Sequence, residues 1–349
     1  MGLSIRDIVP RKQIEFESLK GKTLTVDAFN TLYQFLSSVR QADGTPLMDN
    51  NENITSHLSG IFYRNLALLE EGMKLIYVFD GEPPALKIKT HEKRKLAKDL
   101  ASERYDEAKS EDDVSGMKRY SSQLVRLNDE MIKESKELLE AMGIMVVQAP
   151  SEGEAQASYM CKTNPEIYAI ASQDYDSLLF GAEKLIQNLT LSRKRKTFSG
   201  YVEVKPEMIE LRDVFDKLDL NLDQLICLGI LVGTDYNPKG VPGIGQKKAL
   251  DLVRKFEQPV LIFEEVRQRI NSLPEEDQFD WAEIFQLFHK HPVKNVEIKF
   301  PKVNEEKIKE ILIEKHDFSE ERVEKQLERL RKINEKKKQK GLGEWLCEK

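Results

Sequence analysis

The chain has few cysteines and no long apolar run. Its 349 residues include three cysteines, Cys161, Cys227 and Cys347, which are too few and too scattered for a disulfide framework. The sequence contains neither Cys-x-x-Cys nor His-x-x-x-His, so we do not expect a zinc site. No segment approaches the ~18 apolar residues of a membrane span, and the opening MGLSIRDIVP does not read as a signal peptide. These absences predict an intracellular protein with no membrane partner.

Positively charged residues are fewer than negatively charged ones, but many of them are concentrated in three short runs. The formal net charge is −6, which by itself argues against nucleic acid as a partner. Residues 85–98 nevertheless carry six Lys or Arg against Glu92 alone, residues 193–196 read RKRK, and residues 331–340 carry six against Glu335 alone. Each run can also be a solvated helix face or a frayed tail. The charge pattern therefore leaves nucleic acid open as a partner.

Short apolar runs alternate with helical patterns along the chain. The runs LTV, KLIYVF, GIMVV and EIYAIA have the length and residue types of buried strands, and each is followed by a turn or a helix. This alternation predicts an α/β fold with a mostly parallel central sheet flanked by helices. In such sheets ligands bind just beyond the carboxyl ends of the strands.

Acidic residues follow four of these predicted strands. Asp27 comes directly after LTV and Asp80 directly after LIYVF, while Asp235 follows a later apolar helix. The other acids follow the remaining two strands; they are Glu152, Glu154, Asp174 and Asp176. If the strands are parallel, these side chains meet at one edge of the sheet.

Such a cluster of like charges needs counter-charge. One carboxylate pair ~4 Å apart costs about 4 kcal/mol at an effective dielectric constant near 20. Oxygen-only ligands favour hard divalent ions, so the pattern predicts two Mg²⁺, with Mn²⁺ as a substitute. Two such ions are the arrangement used in phosphodiester hydrolysis. Setting the seven acids aside turns the formal charge of −6 into +1, which weakens the objection to nucleic acid.

Each acid taken singly also has a plainer interpretation. Ser151-x-x-Glu154 has the spacing of a capping box, and an aspartate after a strand is ordinary turn chemistry. Four strands that all end in acid are harder to explain in this way, so we favour the metal site.

The stretch VPGIGQKKALDLV (241–253) resembles a helix–hairpin–helix. Gly243 and Gly245 allow a tight turn at a helix N-terminus, whose backbone N–H groups bind phosphate without reading sequence. Lys247 and Lys248 would add positive charge. The alternative is a plain glycine turn followed by a helix.

Two further patterns suggest contacts with partners. Lys87 and Arg94 lie seven residues apart, which places them on one helix face beside the acids, although exposed surface charges have the same spacing. Near the C-terminus, Gln339, Leu342, Trp345 and Leu346 have the pattern of a segment that folds into a partner's pocket. Intramolecular docking of that segment is the alternative.

The chain resembles the archaeal-type flap endonucleases, which are structure-specific 5′ nucleases of replication and repair. The resemblance rests on VDAFNTLYQF, YVFDGEPP, APSEGEA, SQDYDSLLFG, GTDY and GIGQKKA, and it runs from Gly2 to about Lys255. It implies a PIN-like 5′ nuclease core with a helical gateway and cap over residues 83–131. The implied regions are an N-terminal nuclease region (1–98), a helical cap or linker (99–115), an internal nuclease region with the hairpin (116–258), C-terminal helices (259–330) and a basic flexible tail (331–349).

The resemblance also implies a role for each candidate residue. Asp27, Asp80, Glu152 and Glu154 would surround a first Mg²⁺, and Asp174, Asp176 and Asp235 a second. Lys87 and Arg94 would be the catalytic pair at the scissile phosphate. The residues implied in DNA binding are Tyr33, Arg40, Arg64, Glu152, Gly233, Asp235, Gly243, Gly245, Lys247 and Lys248, with a monovalent cation at 241–248. The peptide Gln339, Leu342, Trp345 and Leu346 would dock on the sliding clamp (PCNA).

Two departures from the family pattern stand out. Residues 3–12 do not match its opening, so no role is carried over to them, and the clamp peptide ends in Trp345–Leu346 where two aromatics are common. The resemblance predicts a monomeric, DNA-associated enzyme with 5′ flap endonuclease and 5′-3′ exonuclease activity, acting in Okazaki fragment maturation and long-patch base excision repair. The alternatives are a Mg²⁺-dependent small-molecule phosphatase of the haloacid dehalogenase type and a non-catalytic DNA-binding scaffold recruited by the clamp.

Overall fold

The computed structural model describes residues 3–41, 44–87, 104, 127–190, 194–197 and 200–347. The strands of this part of the chain are β1 (Lys12–Gln13), β2 (Thr23–Asp27), β3 (Lys74–Phe79), β4 (Met145–Gln148), β5 (Ile167–Ala171), β6 (Lys184–Gln187), β7 (Lys194–Thr197), β8 (Gly200–Glu203) and β9 (Glu207–Glu210). Among the described residues, seven of them form one sheet in the order β1-β9-β6-β5-β2-β3-β4, while β7 and β8 form a separate antiparallel hairpin.

The central sheet is mostly parallel, as the sequence predicts. Strands β2 to β6 pair in parallel, and β9 and β1 add an antiparallel edge. The chain proceeds from β2 through β3 to β4 on one side and returns to β5 and β6 on the other. The strand order therefore reverses between β2 and β5, which is the place where open α/β sheets bind ligands.

The helices cover both faces of this sheet. In chain order they are α1 (Ala28–Ser38), α2 (Ser56–Glu70), α3 (Asp129–Ala141), α4 (Gly153–Thr163), α5 (Asp176–Leu179), α6 (Leu211–Leu218), α7 (Leu222–Val232), α8 (Gln246–Phe256), α9 (Pro259–Asn271), α10 (Trp281–His289), α11 (Glu305–Lys309) and α12 (Glu320–Cys347). A π-helical turn, Glu310–Lys315, follows α11. Among the described residues, none of the helices combines the length and the apolar character that crossing a membrane requires.

Alternation along β3 shows why it is central. Leu75, Tyr77 and Phe79 point into the core beneath α1, α2 and α3. Ile76 and Val78 point into the opposite core beneath α4. Because successive side chains of a strand face opposite sides, a strand covered on both faces must be apolar throughout. Five of the six β3 residues are buried accordingly.

Two segments differ from what the sequence pattern indicated. Residues 3–12, to which the resemblance assigns no role, contribute the buried Leu3 and Ile5 to the core, and Lys12 pairs with Met208 across β1 and β9. Residues 291–304, in the region interpreted as C-terminal helices, form an extended segment between α10 and α11. Pro292 and the alternation of Val296, Glu297 and Ile298 are the signals that could have indicated it.

Candidate metal centre

The carboxyl ends of the parallel strands bring the predicted acids together. Asp27 is the last residue of β2, and Asp80 directly follows β3. Glu152 is the N-cap of α4, Asp174 follows β5, and Asp176 begins α5. Contacts show the proximity: the Ser172 hydroxyl lies 3.2 Å from oxygens of both Asp27 and Glu154, and the Lys87 ammonium lies 2.8 Å from Glu152 and 3.1 Å from Asp235. The convergence predicted from four strand ends is therefore present.

Asp27 is both a helix cap and a member of the cluster. Its Oδ1 accepts a hydrogen bond from the Asn30 backbone N–H at 3.0 Å, which begins α1. The interpretation of such an acid as turn chemistry is thus correct for this residue, but it is incomplete. Burial, followed by repulsion from Asp80, raises the pKa of Asp27 to about 7.

Ser172, which the sequence analysis missed, joins three of the acids. Its hydroxyl lies 3.2 Å from Asp27 Oδ2 and 3.2 Å from Glu154 Oε1, and its oxygen accepts the Asp174 backbone N–H at 3.2 Å. One hydroxyl proton satisfies only one of the two carboxylates at a time. Burial, and then repulsion from Asp176, raises the pKa of Glu154 well above its usual range. Its position directly after β5 is the signal that could have identified Ser172.

The turn before α4 is built around Asp80 rather than around a capping box. Asp80 Oδ1 accepts the Gly153 backbone N–H at 2.6 Å, and a β-carbon at Gly153 would stand 2.7 Å from that oxygen. Ser151 donates its hydroxyl to the Glu82 carbonyl at 2.8 Å and does not cap α4. The capping-box interpretation of Ser151 and Glu154 is therefore wrong, and Glu154 belongs to the acid cluster.

Asp176 is a buried acid of the cluster, and its Oδ1 has no hydrogen-bond partner among the described residues. Burial, followed by repulsion from Asp235 and Asp174, raises the pKa of Asp176 to about 8. By contrast, Asp174 Oδ2 accepts a hydrogen bond from the Asn30 side chain at 2.9 Å. An aspartate that served only in a turn would be exposed to solvent, so the burial of Asp176 argues against that interpretation.

Lys87 supplies positive charge inside the cluster. Its ammonium lies 2.8 Å from Glu152 Oε1 and 3.1 Å from Asp235 Oδ2, and its side chain is 12% exposed. Burial alone would lower the pKa of Lys87, but Glu152 and Asp235 raise it overall. Its predicted partner, Arg94, lies outside the described residues.

The donor set fits hard divalent ions. Every predicted ligand is a carboxylate, and the buried Asp176 Oδ1 has no hydrogen-bond partner among the described residues, so it offers an oxygen to an ion. In the described part of the chain, however, no group of three or more His, Cys, Asp or Glu side chains is arranged so that it could hold an ion as it stands. Lys87 and Asn30 occupy oxygens of Glu152, Asp235 and Asp174. The carboxylates are gathered, and Glu152 and Asp235 must exchange the Lys87 ammonium for an ion before those oxygens can coordinate.

We expect the metal-free protein to lose stability as the pH rises from about 4 to about 8. In the unfolded chain these acids ionise near pH 4. In the folded state burial, and then neighbouring carboxylates, holds the pKa of Asp27 at about 7 and that of Asp176 at about 8. The folded state binds more protons across this window, so each group lowers the free energy of unfolding by up to about 1.4 kcal/mol per pH unit. Urea unfolding in EDTA at pH 5 and pH 8 measures this, and Mg²⁺ should restore stability at pH 8. A free energy of unfolding that rises from pH 5 to pH 8 would contradict the charge state that we infer.

The predicted hairpin consists of α7, a loop over residues 233–245, and α8. Gly243 has φ +72°, a conformation that favours glycine, and Gly245 is the N-cap of α8 without a side-chain cap. The first N–H groups of α8 therefore need a partner from outside the helix. Lys247 and Lys248 are exposed, and Lys248 donates to the Gly243 carbonyl at 3.2 Å. This geometry suits a phosphate.

The other residues implied in DNA binding lie on, or directly after, three helices of the fold. Tyr33 of α1 is 38% exposed, and Arg40, just beyond that helix, donates to the Gly44 carbonyl at 2.9 Å. Arg64 of α2 is half-buried, and that burial lowers its pKa. Gly233 ends α7 with φ +117°, and a β-carbon there would approach the Pro238 carbonyl at 3.0 Å. The backbone conformation therefore explains why residue 233 is a glycine. Its contact with DNA stays a prediction.

The predicted clamp peptide lies at the end of α12, whose backbone is helical to Cys347. The side chains of Gln339, Leu342, Trp345 and Leu346 lie outside the described part of the chain. Upstream, Val323, Leu327 and Leu330 anchor α12 to the core at helical spacing.

The mostly parallel sheet gathers acids and a buried lysine at its switch point, and the chain also carries a glycine hairpin with exposed lysines. This combination is typical of the class of acid-cluster α/β nucleases. The family model of the XPG N-terminal domain matches residues 4–101, and that of the XPG I-region matches residues 143–235. Flap endonuclease 1 of Pyrococcus furiosus is 49% identical over 348 residues, and that of Thermococcus onnurineus is 48% identical; each match covers 99% of this chain and 99% of the relative. The chain belongs to the flap endonuclease family.

Solved structures agree with this assignment. The flap endonuclease-1 from Methanococcus jannaschii superposes with a TM-score of 0.73 at 39% identity, over 96% of this chain and 100% of that one. The catalytic core of Rad2 in complex with a DNA substrate has a TM-score of 0.68 at 23% identity, over 95% of this chain and 100% of that one, and shares the fold.

Proposed function

We propose that this protein is a structure-specific DNA nuclease that removes 5′ flaps by metal-dependent hydrolysis of a phosphodiester. The observation that carries the proposal is the acid cluster at the switch point of the sheet, in a chain 49% identical to a flap endonuclease over its length. The same enzyme would act as a 5′-3′ exonuclease, in Okazaki fragment maturation and long-patch base excision repair.

In the proposal, Asp27, Asp80, Glu152 and Glu154 hold one Mg²⁺, and Asp174, Asp176 and Asp235 hold a second. Such ions lower the pKa of a bound water and stabilise the charge that develops on the leaving oxygen. Ser172 orients Asp27 and Glu154, and Asn30 orients Asp174, through the hydrogen bonds described above. Mn²⁺ would substitute because it accepts the same oxygen ligands.

Lys87 and Arg94 are proposed as the basic pair that meets the scissile phosphate. Lys87 already lies within the cluster, ion-paired with Glu152 and Asp235. When phosphate and ions arrive, its ammonium can move from these carboxylates to the phosphate oxygens, where negative charge increases in the transition state.

The hairpin would bind the duplex without reading its sequence. Phosphate contacts fix the position of a protein on DNA, and base contacts specify sequence. Gly243, Gly245, Lys247 and Lys248 offer backbone N–H groups and ammonium groups only, and the carbonyls of 241–248 would take a monovalent cation. Tyr33, Arg40, Arg64 and Gly233 would contact DNA near the cut.

Two further parts of the proposal concern organisation and partners. The regions 1–98, 99–115, 116–258, 259–330 and 331–349 would serve as nuclease region, cap, hairpin-bearing nuclease region, C-terminal helices and tail. Of the cap residues, only Arg104 is among those described. The peptide Gln339, Leu342, Trp345 and Leu346 would recruit the protein to the sliding clamp.

The two alternatives from the sequence are not supported. A haloacid dehalogenase-type phosphatase would need Asp174 as a nucleophile and gives no reason for the hairpin, and the relatives named above are endonucleases. A non-catalytic scaffold gives no reason for a buried acid cluster.

A labelled double-flap duplex tests the proposal. The purified protein should release the 5′ flap with Mg²⁺ and leave the duplex intact in EDTA. A matched duplex without a flap is the control for structure specificity. Cleavage that does not depend on a divalent ion, or that is equal on both duplexes, would refute the proposal.

A further inference from the structure

An extended segment, residues 291–298, lies along the acid-bearing helix α4. It follows α10 and has no regular secondary structure. Its side chains alternate, so that Val296 and Ile298 pack against the core that contains Ala157 and Met160 of α4, while Glu297 is exposed. We call residues 291–298 the strap.

Polar contacts join the strap to α4 along the length of the helix. Gln156 is fully buried, and its amide donates to the Lys294 carbonyl at 2.9 Å and accepts the Lys294 backbone N–H at 2.9 Å. One turn further along, the Tyr159 hydroxyl donates to Asn295 Oδ1 at 2.6 Å. A side-chain amide that pairs with both backbone groups of one residue fixes the register of the two segments.

The strap reaches the acid cluster at His291. The Glu152 backbone N–H donates to His291 Nε2 at 3.2 Å, and the imidazole lies edge-on to Phe180 with ring centroids 5.2 Å apart. Nε2 acts as the acceptor in this bond, which requires a ring that is unprotonated at Nε2, and the buried Nδ1 has no hydrogen-bond partner among the described residues. Glu152 is the N-cap of α4, so its N–H needs a partner from outside the helix, and His291 provides it.

We propose that the strap positions α4 for ion binding and that His291 is a positioning residue for Glu152 and Glu154. This inference rests on the proposed function, since it assigns a role toward the same ions. His291 binds the backbone N–H of Glu152 and not a reacting atom. It therefore holds the N-terminal end of α4, which carries both Glu152 and Glu154. The strap lies outside the residues that the two family models match, so it adds an element of the C-terminal region to the site.

Three variants of the full-length protein separate positioning from general packing. His291→Phe keeps an aromatic ring against Phe180 but has no acceptor for the Glu152 N–H. His291→Gln restores an acceptor at a similar reach. Tyr159→Phe removes the strap contact with Asn295, which lies further along α4 than the two acids. It serves as the matched control. Affinity for Mn²⁺ is measured by the electron paramagnetic resonance signal of the free ion, and affinity for flap DNA is measured in EDTA.

His291→Phe should weaken Mn²⁺ binding by roughly tenfold or more, which is the usual effect of losing a group that orients a metal ligand. His291→Gln should stay within about threefold of the parent, and Tyr159→Phe within about twofold. Affinity for flap DNA in EDTA should not change. If His291→Phe fails to fold, as judged by circular dichroism, His291→Leu is used for the same comparison.

Two results would overturn the inference: Mn²⁺ affinity in His291→Phe equal to that of the parent, or an equal loss in Tyr159→Phe, which would indicate general loosening. Failure of the proposed function looks different, because the parent would then bind Mn²⁺ without cutting the flap, and the comparison of variants would still stand. A parent that does not bind Mn²⁺ at all would refute both.

Discussion

Asp176→Ala should reduce flap cleavage by about 10³-fold or more and leave the affinity for flap DNA nearly unchanged. Asp176 is buried among Asp235, Asp174 and Glu152, with one oxygen lacking a partner among the described residues. A ligand in that position holds an ion against charge that develops in the transition state, which is worth several kcal/mol, and each 1.4 kcal/mol changes a rate about tenfold. Binding of DNA in EDTA depends instead on the hairpin and the basic residues outside the cluster.

The same substitution should stabilise the metal-free protein. It removes one of several buried like charges, so the melting temperature in EDTA at pH 8 should rise while the increase on adding Mg²⁺ shrinks. Asp216→Ala on α6 is the control, because that aspartate is 72% exposed and its ion pair, within the described part of the chain, is a surface one with Arg212. Single-turnover cleavage, DNA affinity and thermal unfolding are measured on all three proteins. Cleavage by Asp176→Ala within tenfold of the parent would remove Asp176 from the site.

The strand ends were predictable because two simple rules combine there. An apolar run of strand length that stops at an acid, repeated four times, has few explanations other than convergence at the edge of a parallel sheet. Asp27, Asp80 and Asp174 lie where this argument puts them. The conclusion also requires the strands to be parallel, which the alternation of strands with helices indicates.

The contacts that hold the acids could not be predicted in the same way. Ser172 and His291 each act through a partner far away in the chain: Ser172 lies 145 residues from Asp27, and His291 lies 139 residues from Glu152. The position of Ser172 directly after β5 is a weak signal, and His291 has no comparable one. Ser151 shows the opposite error, because the local pattern of a capping box was present while the hydroxyl found a partner 69 residues away. Local sequence patterns predict helices and strands. Tertiary contacts determine which side chains on them remain available as metal ligands.

Lys87→Met should change cleavage and ion affinity in opposite directions. Removing a cation from the place where phosphate charge develops should slow cleavage by about 10²-fold to 10³-fold. The ammonium also binds Glu152 at 2.8 Å and Asp235 at 3.1 Å, so it competes with a divalent ion for the same oxygens. Without DNA, the variant should therefore bind Mn²⁺ more tightly than the parent.

The variant should also depend more strongly on the ion for its stability. Removing one partner of a buried ion pair typically costs about 3–5 kcal/mol, because the remaining charge is left uncompensated. Glu152 and Asp235 are 9% and 17% exposed at their side chains, so in EDTA the melting temperature should fall, and Mn²⁺ should raise it by more than it raises that of the parent. Lys133→Met on α3 is the control, since Lys133 is 77% exposed and lies 4.0 Å from Glu137.

Ion affinity, thermal unfolding and single-turnover cleavage of Lys87→Met separate two roles for this lysine. A structural lysine would lower stability and leave Mn²⁺ affinity unchanged or weaker. A lysine that only contacts phosphate would slow cleavage without altering Mn²⁺ affinity in the absence of DNA. Slower cleavage together with tighter Mn²⁺ binding is expected only if one ammonium serves the carboxylates in the free protein and the phosphate in the complex, and an unchanged affinity would refute that exchange.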